Sequence, residues 1–119
     1  MENKIKKLFL SNFNISIRDS EIPWLVKFTS DTCGLCHGLE PVFDQLASAF
    51  QGRVNFGNVN VRVEKRLSEA FINDGVPTLY FFHNNKPREL EWPPDPNPES
   101  GYSFMHLTQY LLRKLEENE

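Results

Sequence analysis

Cysteine is almost missing from this chain. There are two in 119 residues, too few for a disulfide framework. Charge of one sign is missing as well: 16 acidic side chains stand against 13 basic ones, so no cationic face offers itself to nucleic acid or an anionic membrane. Hydrophobic residues make up 39% and fall in short patches, the longest around Leu79 to Phe82, whereas a membrane span needs about 20 in a row. Neither nucleic acid nor membrane is therefore expected as a partner. Met1 to Leu10 mixes lysines with scattered apolar side chains and has neither the apolar core nor the small-residue cleavage site of a secretory signal. No internal repeat or extended low-complexity segment interrupts the chain. The expectation is a soluble protein forming one domain over residues 1–119, large enough to bury its own core.

The two cysteines that are present lie three apart, in Thr32-Cys33-Gly34-Leu35-Cys36-His37, where an apolar strand-like run turns into a helical pattern. A pair with that spacing can close a small disulfide. A thiol at a helix start also faces unpaired backbone N–H groups and the positive end of the helix dipole, which favour the thiolate that performs disulfide exchange. Three readings of the pair stand open: redox-active, half of a zinc site, or structurally inert. Zinc needs four ligands, and His37 directly follows Cys36 while His83 and His106 fall on separate predicted elements, so no second ligand pair has finger or ribbon spacing.

Along the chain, Ile5 to Leu10 reads as a short edge strand and Phe13 to Ile17 as an apolar turn or short helix. Pro23 to Thr29 is almost continuously apolar, as suits a central strand covered on both faces. Ser30, Asp31 and Thr32 supply helix-capping side chains ahead of the cysteines. Leu39, Val42, Phe43, Leu46, Ala49 and Phe50 then follow helical spacing up to Gly52, and Pro41 within that pattern predicts a kink. Val54 to Val61 reads as a second central strand with a bulge at Gly57. Glu64 to Ile72 reads as a surface helix with Leu67, Ala70 and Phe71 on one side, stopped by Asn73-Asp74-Gly75. Thr78 to Phe82 and Arg88 to Trp92 form a predicted hairpin across a turn at Asn84 to Pro87. Pro93 to Ser103, with four prolines, reads as a stiff loop without regular structure. Phe104, Leu107, Leu111 and Leu115 mark a final helix that frays over Glu116 to Glu119. The order specifies an α/β fold, a mixed central β-sheet flanked by helices on both faces.

Four features taken together resemble the thioredoxin fold, and more narrowly a domain of the protein disulfide isomerase family. They are Trp24 to Phe28 ahead of the cysteines, the Cys33–Cys36 pair, Pro41 five residues past the second cysteine, and Val76-Pro77-Thr78 downstream. The resemblance implies a thiol–disulfide oxidoreductase acting on protein thiols and disulfides without metal or organic cofactor. In it Cys33 is the nucleophile, Cys36 the resolving thiol, and Thr32, Gly34, Val76 and Pro77 meet the substrate, with Pro77 cis. Lys27 to Asp31, Glu40 to Val42 and Glu64 to Leu67 also resemble thioredoxin domains of J-domain co-chaperones, which implies a larger parent polypeptide or a chaperone partner. The isolated domain is expected to be a monomer. The resemblance favours the endoplasmic reticulum lumen over the cytoplasm, the chain then being a mature or excised module whose signal was removed.

Departures from the family pattern are equally specific. Thr32 replaces the usual tryptophan, and Leu35 stands where thioredoxins often carry proline and disulfide isomerases histidine. Lys27 occupies the strand position where the family buries an acid, and Asn58 the place of that acid's lysine partner. A lysine there must snorkel to water, find a carboxylate or lower its pKa, and a packed stem with its head in water is the favoured outcome. These departures also motivate a rival from another class, a client- or partner-binding module with little redox activity. A third alternative is a structural subunit using Trp92 and Tyr102 as an aromatic surface.

Overall fold

The computed structural model describes residues 4–72 and 74–117. The expected helix stop at Asn73, the first three residues of the Met1–Leu10 stretch and the end of the fraying terminus at Asn118 and Glu119 lie outside these residues.

Nine elements follow in the order β1 (Ile5–Lys7), α1 (Leu10–Arg18), β2 (Trp24–Thr29), α2 (Gly34–Ala49), β3 (Asn55–Asn60), α3 (Lys65–Phe71), β4 (Thr78–His83), β5 (Lys86–Glu89) and α4 (Phe104–Glu117). The sheet order is β1-β3-β2-β4-β5. β1 and β2 flank β3 in parallel, while β4 runs antiparallel to β2 and β5 antiparallel to β4. The parallel pairs need crossover connections, which α1 and α2 provide, whereas Asn84 and Asn85 turn tightly between β4 and β5 with positive φ angles of 52° and 62°.

Every residue of β2 is buried because the strand has helices on both sides. Leu25 faces a core built with Leu39, Phe43 and Leu46 of α2 and Leu107 and Leu111 of α4. Trp24, Val26 and Phe28 face a second core with Phe13 and Ile17 of α1 and Leu67 of α3. Each such buried Leu or Phe contributes roughly 1.5–3 kcal/mol relative to exposure. Phe71 adds an edge-on aromatic stack, its ring centroid 5.1 Å from Tyr80 and 5.6 Å from Phe82.

Several details depart from the sequence reading. Gly57 forms no bulge: β3 keeps unbroken register with both neighbours, Gly57 opposite Lys6 and Val26. The residue is glycine because a Cβ there would come within 2.5 Å of Leu8 Cδ1 and 3.2 Å of Trp24 Cζ3. Ala47, not Ala49, is buried on α2, and Ala70 of α3 is exposed, since the angle at which each helix meets the sheet selects the stripe. Pro41 lies inside α2, a single 16-residue helix, as the helical spacing around it predicts. β5 stops at Glu89, although Leu90 N–H still donates to the Leu79 carbonyl. The proline-rich loop is tied by a bridge between Asn97 and Gly101, which exchange both backbone hydrogen bonds. Its Glu99 carbonyl packs so closely on α2 that any side chain at Gly38 would collide with it.

Candidate active site at the Cys33–Cys36 disulfide

Strand β2 ends at the sheet rim, and the chain turns through Ser30, Asp31 and Thr32 into α2. Ser30 does not cap the helix: its Oγ accepts from Thr32 N–H and its carbonyl from Cys33 N–H, which tightens the turn instead. The cap is Cys33, in extended conformation, whose Sγ accepts the Cys36 N–H at 3.1 Å. A sulfur thus takes the role that the sequence assigned to oxygen side chains. The same N–H and the helix dipole would stabilise a thiolate at Cys33 once the bond is opened.

Cys33 and Cys36 are joined as a disulfide, with Cα atoms 5.2 Å apart. Their surroundings differ. Cys33 is half-buried, whereas Cys36 is only 3% exposed beneath the first turn of α2. Cys33 Sγ lies 3.9 Å from the carbonyl oxygen of Val76, and the Val76–Pro77 peptide bond is cis. Thr32 and Gly34 flank the sulfur and are exposed; a Cβ at Gly34 would meet nothing within 4 Å. Pro77 is buried, Val76 half-buried, and the Thr78 hydroxyl donates to the Gly75 carbonyl, bracing the loop. Thr32, Cys33, Gly34, Cys36, Val76 and Pro77 therefore gather at one rim.

His37 turns its ring toward Asp31 and Glu40. It is exposed, its Nε2 pairs with the Asp31 carbonyl at 2.8 Å, and its Nδ1 lies 3.6 Å from Glu40 Oε1.

Lys27 differs from the favoured expectation. Only 5% exposed, it points from β2 into the face covered by α2, donates from Nζ to Asn58 Oδ1 at 3.0 Å, and lies 5.5 Å above the Phe43 ring. Asn58 Oδ1 also accepts from Thr29 Oγ1 at 2.7 Å. Burial lowers the Lys27 pKa, and the charges of Glu40 and Asp44 oppose that shift without cancelling it. These groups, with Lys7 and Ile5, line a small cavity of about 290 Å³. Among the described residues no carboxylate comes within ion-pair distance of Lys27.

A second cavity, about 650 Å³, opens beside the disulfide between Leu35, Val76 and Pro77 on one side and Leu90, Trp92 and Tyr102 on the other. Trp92 is half-exposed and stands edge-on to the buried Tyr102, with ring centroids 5.2 Å apart. No local pattern in the sequence marks this wall, because it takes the pairing of β5 and Leu90 with β4 to bring it beside the disulfide.

A five-stranded mixed sheet with a Cys-x-x-Cys disulfide at the start of the helix after its central strand defines a thioredoxin-fold thiol–disulfide oxidoreductase domain. The chain belongs to the thioredoxin family, whose model matches residues 4–93. It is 37% identical to Thioredoxin 1 of Chlorobaculum tepidum over 99 residues, covering 83% of this chain and 91% of that protein. It is 31% identical to protein disulfide-isomerase erp38 of Neurospora crassa over 116 residues, 95% of this chain and 30% of the relative. It is 35% identical to the protein disulfide-isomerase A6 homolog of Drosophila melanogaster over 82 residues, 69% of this chain and 19% of the relative. The chain thus spans under a third of the length of these disulfide-isomerase relatives.

Proposed function

We propose that residues 1–119 form one thioredoxin-like domain that exchanges disulfides with protein clients, Cys33 attacking and Cys36 resolving. In the reducing direction the Cys33 thiolate attacks a client disulfide, forming a mixed disulfide and releasing one client thiolate. The Cys36 thiolate then attacks Cys33 Sγ, which re-forms the Cys33–Cys36 bond and releases the second client thiolate. Two electrons pass from the dithiol to the client; the reverse sequence donates a disulfide. The pair carries the electrons, so the exchange calls for no metal or organic cofactor.

The observation that carries this assignment is the unequal exposure of the two sulfurs, with the more accessible one beside the Val76 carbonyl. A client laid across Val76 and Pro77 in extended form would place its own sulfur against Cys33, with Thr32 and Gly34 leaving the approach open. The proposal extends to a monomeric domain that works within a larger parent polypeptide or beside a chaperone partner, in the endoplasmic reticulum lumen rather than the cytoplasm. The disulfide-isomerase names of two relatives support the parent class.

Substitution separates the two sulfurs. Cys36→Ser is expected to accumulate a mixed disulfide between Cys33 and a model client, visible on a non-reducing gel, and Cys33→Ser to lose exchange altogether. Full exchange by Cys33→Ser would overturn the proposal. Titrating the Cys33–Cys36 couple against glutathione then fixes whether the domain reduces or oxidises its clients.

A further inference from the structure

The groove beside the disulfide is unevenly charged. Its floor is apolar, formed by Leu35, Val76, Pro77 and Leu90, and the half-exposed Trp92 closes its far side. Its rim carries three carboxylates, Asp74, Glu89 and Glu91, and no lysine or arginine lines it among the described residues. Asp74 comes from the turn after α3, while Glu89 and Glu91 come from the end of β5 and beyond, so the fold brings together acids that lie far apart in sequence. Glu89 and Glu91 also border an adjacent groove that holds Arg88, Arg113 and Lys114, so Asp74 is the one acid of the three that faces the disulfide-side groove alone. On the opposite side of Val76 lies a more apolar depression walled by Val61 and Ile72.

A segment whose sulfur reaches Cys33 has to pass over Val76, because Cys33 Sγ sits 3.9 Å from that residue's carbonyl. One flank of the segment then falls in the acid-rimmed groove. None of the three carboxylates is in a salt bridge among the described residues, and all three side chains are exposed. The Tyr80 hydroxyl donates weakly to Glu89 at 3.3 Å, leaving Asp74 and Glu91 the freer of the three. A visiting cation would meet a negative field, which favours it, and its stem would meet the half-exposed Trp92.

We propose that this groove selects client segments carrying lysine or arginine beside the reactive disulfide. The inference rests on the exchange activity proposed above, and names its preferred substrate class. Asp74 and Glu91 are the main specificity determinants and Trp92 the apolar contact for the stem of the cationic side chain.

The test uses the reduced full chain and two disulfide-linked peptides of equal length, one with lysines and one with glutamates flanking the cysteine. Lysines also make the cysteine a better leaving group, so each rate is divided by the rate of dithiothreitol with the same peptide. The corrected ratio is expected to favour the lysine peptide by about tenfold at low salt, the lower end of electrostatic steering. It should shrink several-fold at 0.5 M salt, an ionic strength chosen to be roughly three times physiological so that exposed charges are well screened. The double substitution Asp74→Asn with Glu91→Gln should lower it similarly while the thermal midpoint stays put. A corrected ratio near one in the native chain, or one that the double substitution leaves unchanged, would overturn the inference. Failure to reduce either peptide would instead refute the exchange activity.

Discussion

Replacing Lys27 by methionine keeps a long unbranched stem in the core and removes only the ammonium. That ammonium is buried, donates to Asn58 Oδ1 at 3.0 Å and sits 5.5 Å above Phe43. Its loss forfeits a hydrogen bond from a charged donor, about 1.5–3 kcal/mol, and a cation–π contact of about 1–2 kcal/mol. Against this stands the effective cost of burying an ion, several kcal/mol. The lowered pKa of Lys27 decides the sign: with its partners and the attraction of Glu40 and Asp44 included, the folded protein still disfavours the protonated amine relative to water. Asn58 Oδ1 keeps its bond from Thr29, so no acceptor is orphaned. Lys27→Met is therefore expected to stabilise the disulfide-bonded domain by about 1–2 kcal/mol at pH 7, within the range seen when buried ions give way to apolar side chains. That corresponds to a midpoint rise of roughly 4–8 °C for a chain of this size.

The pH dependence is the sharper measurement. Below the lowered folded pKa, Lys27 is charged in both states and its penalty is fully present. Between that value and the unfolded 10.5 the unfolded chain holds a proton that the folded one has released, so the native protein gains stability as pH rises and the gap to the variant closes. Urea unfolding of both proteins across this window gives the difference directly, and contributions from other titrating groups cancel. A variant less stable by 1 kcal/mol or more at neutral pH, against the gain of about 1–2 worked above, would refute the reasoning. So would a gap that does not narrow towards pH 10.5.

Other expectations follow from packing and burial. Gly38→Ala gains about 1 kcal/mol of helix propensity but drives a methyl into the Glu99 backbone, so a net loss of about 2 kcal/mol is expected in a thermal melt, and an unchanged or raised midpoint would contradict that packing. Tyr102 is pushed up to about 12 by burial first and then by the charge of Glu89, and burial also raises Tyr80 and Tyr110. These are all three tyrosines of the sequence, so an ultraviolet titration of the folded protein should show every phenol ionising above 10. The unfolded chain sheds those protons first, so stability should fall between pH 10 and 12, Tyr102 alone accounting for about 2–3 kcal/mol at the upper end. A phenol titrating at 10 in the folded state would sink that expectation.

The order of elements was legible because patterning and burial agree: an uninterrupted apolar run such as Trp24 to Thr29 has no place to go except the middle of a sheet covered twice over. The redox pair was legible because its spacing at a strand-to-helix junction is a local feature. What escaped was set by contacts between distant segments. Gly57 reads as an irregularity until Leu8 and Trp24 are seen filling the space where its side chain would be. Nothing in Gly38 announces that the Glu99 carbonyl will lie against it. The carboxylates around Trp92 could not be grouped in advance, since Asp74 joins Glu89 and Glu91 only through the hairpin's register. Lys27 was foreseen as awkward, but whether its head would reach water depended on how closely Phe43 closes over it.

The outer strands of the sheet carry a last consequence. β1 is three residues long and ends in two lysines, while β5 is exposed throughout and has Pro87 opposite Phe82, a residue with no N–H to offer. Short length, cations and proline are how proteins stop their margins from recruiting foreign chains into a growing ribbon. On the function proposed above, a domain with such margins is protected from being zipped onto its protein clients, and is left to hold them only where its sulfur can let them go.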